Sequence, residues 1–188
     1  MTNIDDLNLE KLTNSKVQIQ NIAAMIDLDV ELDLPYLHSQ IKGSAYDPEN
    51  YPSLVFRSNE HPTVIITRTG KLLFAGGKTA DEIIRASKSI SREFKDIGLD
   101  VAINPKNISI NNIVCSYNLT FDLDLDQLSI QLGLENIEYE PEQFPGLVYR
   151  IDTNSVVLLF SSGKTILTGF QSVSEILSAV DELDKILR

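Results

Sequence analysis

The chain repeats itself, and that limits its fold more than any single motif does. At an offset of 93 residues, Tyr46-Asp-Pro-Glu-Asn-Tyr-Pro-Ser-Leu-Val-Phe-Arg57 lies over Tyr139-Glu-Pro-Glu-Gln-Phe-Pro-Gly-Leu-Val-Tyr-Arg150. Thr69-Gly-Lys71 then meets Ser162-Gly-Lys164, and Gly76 meets Gly169. Residues 46 to 86 carry 14 identities in 41 aligned positions, where chance at ordinary residue usage gives about two or three. Upstream, Ile19-Gln-Asn-Ile22 matches Ile110-Asn-Asn-Ile113 at an offset of 91. Two copies of roughly 90 residues are too few and too long for a solenoid. The expectation is a pseudo-symmetric pair sharing one sheet, with a tail over 1–16, a first repeat over 17–103 and a second over 104–188.

Hydrophobic spacing separates strands from helices within each copy. Val17 to Leu28 alternates, with Ile22, Ala24, Ile26 and Leu28 on one face and Asn21, Ala23 and Met25 on the other. Asp33 is placed to cap a short helix carrying Leu34, Leu37 and Ile41. Leu54–Arg57, Val64–Thr67 and Lys71–Ala75 read as strands joined by tight turns. Thr79-Ala-Asp-Glu82 forms a capping box before Ile83, Ala86, Ile90, Phe94 and Ile97, and Gly98 stops that helix. Ser172-Val-Ser-Glu175 opens its counterpart, which carries Ile176, Ala179, Val180, Leu183 and Ile186. Each copy is therefore strand, short helix, several antiparallel strands, long helix. The first 15 residues are polar and are expected to fray.

Composition removes several function classes. A single cysteine, Cys115, excludes an internal disulfide or a Cys-based metal site and fits a reducing, cytoplasmic setting. Two histidines, His38 and His61, leave little for metal or Ser-His chemistry, and the acids form no recognisable catalytic pair. No enzyme activity and no cofactor are expected. The N-terminus lacks the basic start and apolar run of a signal peptide, and no apolar run approaches the roughly 20 residues of a membrane span. Gly76-Gly77-Lys78 lacks the spacing of a phosphate-binding P-loop and reads as a turn. The run Asp27-Leu-Asp-Val-Glu-Leu-Asp33 resembles a calcium loop in composition only.

Sixteen bases against 27 acids give a net charge of −11, which at first argues against nucleic acid. The charge is uneven, however, and residues 104–188 hold five bases and twelve acids. What matters is which face the acids occupy. Two long and two short helices can cover only one face of a sheet built from both copies. By alternation the other face shows Asn21, Ala23, Ile65, Thr67, Leu73 and Ala75, then Asn112, Val114, Leu158, Phe160, Ile166 and Thr168. None of the twelve is charged. On pattern alone this face is either core, covered by dimerisation or by a misplaced helix, or an exposed binding surface. Arg57, Lys71, Lys78, Arg150 and Lys164 fall at strand ends and turns around it, while most acids of the second copy map to helices and loops. Such a surface suits a widened minor groove, with base-edge acceptors at its floor and phosphates at its margins.

These residues resemble the TATA-box-binding protein family of the short archaeal type over residues 17–188. The motifs that carry the likeness are Gln20-Asn21-Ile22, Tyr46-x-Pro, Tyr139-Glu-Pro-Glu142, Phe144-Pro-Gly-Leu-Val-Tyr-Arg150, Phe160-Ser-Ser-Gly-Lys164 and Leu167-Thr-Gly169. The resemblance implies an α+β saddle of two similar repeats: about ten antiparallel strands in a curved sheet, with helices on the convex face. It implies a general initiation factor that binds the A·T-rich promoter TATA element in the minor groove, kinks it, and recruits transcription factor B and, indirectly, RNA polymerase. Apolar wedges are a device for which this family is itself a standard example. By position, Asn21 and Asn112 would bond central base pairs. Ala23, Val114, Ile65, Leu158, Leu73 and Ile166 would pack on base edges and sugars, and Thr168 would add a hydroxyl. Arg57, Lys71, Lys78, Arg150, Lys164, Thr69 and Ser162 would meet phosphates. Phe144 and Phe160 would form a wedge, and Glu140, Glu142 and Gln143 would face transcription factor B. The location implied is the archaeal cytoplasm at the nucleoid, or the nucleus for a eukaryotic source.

The first copy departs from the pattern. Tyr51 and Thr67 stand where the family has a second phenylalanine pair, Ala75 replaces the threonine that mirrors Thr168, and Asn50 and Gln171 stand where bases are common. Tyr51 could still wedge, whereas Thr67 lacks the area. The second copy is therefore expected to kink DNA more strongly than the first. The alternative reading is a divergent paralogue that binds a regulator, or itself through the concave face, in place of promoter DNA.

Overall fold

The computed structural model describes residues 2–12, 15–57, 62–132 and 135–187. The chain divides into two compact units, Met1–Leu7 with Asn21–Asn111, and Asn8–Gln20 with Asn112–Arg188.

The first unit contains β1 (Gln18–Asp27, whose first three residues belong to the second unit), α1 (Leu34–Gln40), β2 (Ser44–Asp47), β3 (Tyr51–Phe56), β4 (Thr63–Ile66), β5 (Lys71–Gly77) and α2 (Ala80–Asp96). Its strands lie in the order β2-β3-β4-β5-β1, every pair antiparallel. The second unit follows the same plan with β6 (Ser109–Asn118, whose first three residues belong to the first unit), α3 (Leu125–Leu132), β7 (Ile137–Glu138), β8 (Gly146–Arg150), β9 (Val156–Phe160), β10 (Lys164–Phe170) and α4 (Val173–Ile186). Its order is β6-β10-β9-β8-β7, again antiparallel throughout.

One face of each half-sheet is core. Ile22, Ala24, Ile26, Leu54, Val64, Ile66, Leu72 and Phe74 are buried in the first unit, under Ile83, Ala86, Ile90 and Phe94 of α2. Ile113, Cys115, Leu147, Val157, Leu159 and Leu167 are buried in the second, with Ile176, Ala179, Val180 and Leu183 of α4. Hydroxyl to carboxylate bonds hold α4 on that face, Tyr117 donating to Asp184 and Tyr149 to Glu182, each at 3.2 Å. Burial, and then the Glu182 carboxylate, raise the Tyr149 phenol above its ordinary pKa, so it stays a donor.

Local signals set the helix ends. Asp33 accepts the Tyr36 N–H at the start of α1. Thr79 accepts the Glu82 N–H, but the Glu82 carboxylate turns to the Lys78 N–H, one residue earlier than a reciprocal box requires. Ser172 and Glu175 close the full box on α4. Gly98 (φ +78°) ends α2, and the Leu99 N–H bonds back to the Phe94 carbonyl at 2.8 Å.

The expected fraying of the N-terminal segment does not hold over its described residues. Ile4 is fully buried and Leu7, Leu12 and Val17 nearly so. The Ile4 N–H donates to the Ile108 carbonyl and the Ile110 N–H to the Thr2 carbonyl. Apolar residues at 4, 7, 12 and 17 dock a segment whose average composition is polar. Removing each from water is worth about 1.5–3 kcal/mol.

Candidate nucleic-acid interface

The face of each half-sheet opposite its helices is open. All twelve uncharged positions expected there are half-buried: neither roofed by helices nor projecting freely. The register lines them up across strands. In the first unit Ala45, Val55, Ile65, Leu73 and Met25 form one row through β2, β3, β4, β5 and β1. In the second, Val148, Leu158, Ile166 and Ser116 form a row through β8, β9, β10 and β6. Cross-strand rows of this kind give an apolar strip, which in the second unit ends at the buried hydroxyl of Ser116. Met25, Val55 and Val148 belong to it, although the expected set of contact residues omits them. Simple alternation with Leu54 and Leu147 carries the signal for the two valines.

Each unit also presents one asparagine of fixed orientation. The β1–β5 register slips between Ile22 and Ala24, and the β10–β6 register between Leu167 and Phe170. The extra residues include Gly76 (φ +96°) and Gly169 (φ +91°), a backbone region that glycine enters without strain. A bulge leaves an amide outside the ladder. Here the Gly76 N–H donates to Asn21 Oδ1 at 2.9 Å, and the Gly169 N–H to Asn112 Oδ1 at 2.7 Å. An amide nitrogen cannot accept, so these bonds decide which side-chain atom faces inward. The Nδ2 donors are left on the open face, that of Asn112 3.4 Å from the Thr168 hydroxyl. Base edges in a minor groove present acceptors, which such donors match.

The aromatic residues differ between the units. Phe144 and Phe160 meet edge to face, centroids 5.8 Å apart at 68°, and Phe144 is 37% exposed. Gly146, paired with Phe160, permits this: a Cβ there would come within 2.8 Å of Phe144 Cε1 and 3.0 Å of Phe160 Cε1. In the first unit Tyr51 is 46% exposed, and the Thr67 hydroxyl accepts the Lys71 N–H at 3.0 Å and bonds Thr69 Oγ1 at 3.1 Å.

The cationic side chains are exposed at strand ends and turns. Arg150 grips Glu138 at 2.8 and 3.2 Å, and Lys71 stands 3.8 Å from Asp27, all four exposed. Exposed pairs are worth about 0–1 kcal/mol, so a phosphate can displace either carboxylate. Arg57, Thr69, Lys78, Ser162 and Lys164 are also exposed. Glu140, Glu142 and Gln143 sit together on the turn before Phe144, where the Gln143 and Phe144 N–H groups both donate to the Glu140 carbonyl and the Gln143 side chain bonds the Glu140 carboxylate. Among the described residues no three His, Cys, Asp or Glu side chains are grouped to hold a metal, and no helix is long and apolar enough to cross a membrane.

The family described as transcription factor TFIID, or TATA-binding protein, matches residues 16–97 and again 107–188. The chain belongs to the TATA-binding protein family. Among its relatives, the TATA-box-binding protein of Archaeoglobus fulgidus is 42% identical over 175 residues, 92% of this chain and 95% of that protein. TATA-box-binding protein B of Halobacterium salinarum is 44% identical over 161 residues, 85% and 86% of the two chains. The solved Methanococcus jannaschii TBP superposes with a TM-score of 0.81 at 36% identity, covering 92% of this chain and 98% of that one. Two repeats, ten antiparallel strands and four helices are the fold of this family, as the resemblance implied.

His38 Nδ1 lies 3.0 Å from the Ser44 hydroxyl, a contact made possible because residues 44–47 form a strand that the spacing did not single out. His61 lies outside the described residues. Cys115 is buried as alternation requires.

Proposed function

We propose that this chain is a general transcription initiation factor, not an enzyme, which lays its uncharged sheet face in the minor groove of an A·T-rich TATA element. The observation that carries the reading is the open face: twelve uncharged, half-buried positions with an oriented asparagine donor in each unit. Asn21 and Asn112 bond central base acceptors. Ala23, Ile65 and Leu73, with Val114, Leu158 and Ile166, press on sugars and base edges, joined by Thr168. Arg57, Thr69, Lys71, Lys78, Arg150, Ser162 and Lys164 hold phosphates. Phe144 and Phe160 enter a base step and kink it. The Glu140, Glu142 and Gln143 turn engages transcription factor B, which brings RNA polymerase.

Titration against an A·T-rich duplex and a scrambled control tests this, with a footprint repeated in the presence of transcription factor B. Preference for the A·T duplex, and a footprint that factor B extends, support the reading. Equal affinity for both duplexes rejects it. A second reading, a paralogue of the same fold that binds a regulator or a second copy of itself, is favoured by Thr67, Ala75 and the net charge of −11. Absence of DNA binding at low salt would decide for it.

A further inference from the structure

The outward stripe of α2 is cationic. Arg85, Lys88, Arg92 and Lys95 recur at spacings of three and four, on the side of the helix away from its buried Ile83, Ala86, Ile90 and Phe94. All four are exposed. The ion pairs among the described residues are Lys71 with Asp27 and Arg150 with Glu138, so no carboxylate holds any of the four within 4.0 Å. A quarter of the chain's 16 bases thus stand along about three turns of one helix. The second repeat does not copy this stripe: at an offset of 93 the same positions read Ser178, Asp181, Lys185 and Arg188.

The second unit carries a surface of the opposite kind. Between the loop after β6 and the end of α4 lies a hollow of about 330 Å³, lined by the apolar Leu123, Leu128 and Ile186 and by Phe121, Asp122 and Asp124. Phe121 is 43% exposed. Asp124 Oδ1 accepts the Gln127 N–H at 3.0 Å, and neither carboxylate has a cation within 4.0 Å among the described residues. A ring beside two carboxylates takes a guanidinium or ammonium group, and an apolar lining takes its aliphatic stem. The first repeat lacks the ring, for at an offset of 91 Val30 stands in the place of Phe121.

We propose that these two surfaces meet in different copies of the chain, the α2 stripe of one docking into the second-repeat hollow of the next. Charge complementarity selects this occupant: the hollow belongs to the half with five bases and twelve acids, and the arginines bring both the charge and the flat group that Phe121 accepts. Each repeat carries one of the two surfaces, so the contact is heterologous. A bound pair keeps one stripe and one hollow unused, and association runs on head to tail. One helical stripe covers a small area, so the contact is weak and acts where copies are already held close. Neither surface includes a residue of the uncharged sheet face, so both stay open while that face is occupied.

Sedimentation of the full chain over a concentration series, at about 50 mM and about 500 mM salt, tests this, because the screening length falls about threefold between the two. The expected result is a mass that rises past two chains with concentration at low salt, returns to one chain at high salt, and is unaltered by one A·T duplex per chain. Arg85→Glu with Arg92→Glu removes the stripe. Phe121→Ala with Asp122→Lys spoils the hollow and leaves Asp124 on the Gln127 N–H. Each variant alone, with a cooperative melt showing that it is folded, should associate at least about tenfold more weakly. Mixed in equal amounts the two should form pairs and stop there, because each pair has one intact contact and two spoiled ends. A natural chain that sediments singly up to about 0.5 mM overturns the proposal. So does association that neither variant weakens, or a mixture of the two that fails to pair. Dispersal by the duplex would assign the contact to the sheet face and overturn it as well.

Discussion

At the scale of single residues, the asparagines join structure and recognition through one side chain. Asn112 Oδ1 satisfies an amide freed by a bulge, and its Nδ2 faces outward. Asn112→Asp keeps an acceptor for the Gly169 N–H and replaces the donor by a charge facing DNA. Thermal stability should change by less than about 1 kcal/mol, whereas affinity for an A·T duplex should fall at least about tenfold, since an unpaired buried group costs about 1–3 kcal/mol. Calorimetric melting and duplex titration of the same sample check the two halves of that expectation. Cys115 gives a pH-dependent prediction. Burial pushes its thiol up from 9.0 to about 12. An unfolded chain releases that proton near pH 9.0, so the contribution of the buried thiol is intact below that pH and is lost between 9.0 and about 12. Denaturant melts should therefore show stability declining over this alkaline window, with a smaller decline in Cys115→Ala. Thiol reagents at pH 8 should label the chain only when it unfolds.

At the scale of elements, the N-terminal segment and the caps make distinct contributions. Ile4 is fully buried and its backbone bonds to Ile108. Ile4→Ala should cost about 2–4 kcal/mol, a core value and not one typical of a frayed end. A change below about 0.5 kcal/mol in a denaturant melt would show that the segment does not contribute to the fold. Ser172 anchors a fully reciprocal box, whereas Thr79 anchors half of one. Ser172→Ala should cost about 1 kcal/mol, lowering the melting temperature by roughly 2–4 °C.

At the scale of the whole molecule, the relevant quantity is the total charge of −11 against a cationic rim partly held by its own carboxylates. Long-range steering toward DNA should be poor, and the slope of log K against log salt should be shallower than for about 6–10 phosphate contacts. Glu138→Gln frees Arg150. It should tighten binding at low salt and steepen the slope by about one contact's share. A salt titration of the two proteins side by side reads both effects. An unchanged slope would mean that Glu138 does not withhold Arg150 from phosphate.

The sequence alone determined the repeat, the long helices with their caps and stops, and the alternation that puts Ile22 and Ala24 on one face and Asn21 and Ala23 on the other. Those features are local, set by period and by neighbours within a few residues, and the family likeness rests on the same positions. Other features depended on partners distant in the chain. The docking of residues 2–12, the strand that gives His38 its partner, the bulges that turn Asn21 and Asn112, and the need for Gly146 beneath two phenyl rings are contacts between residues far apart in sequence or on adjacent strands. A cross-strand register or a missing Cβ has no periodic signature, because it is fixed by what another segment presents. The tertiary structure therefore decided how each side chain is aimed, while the sequence had already determined which side chains were available.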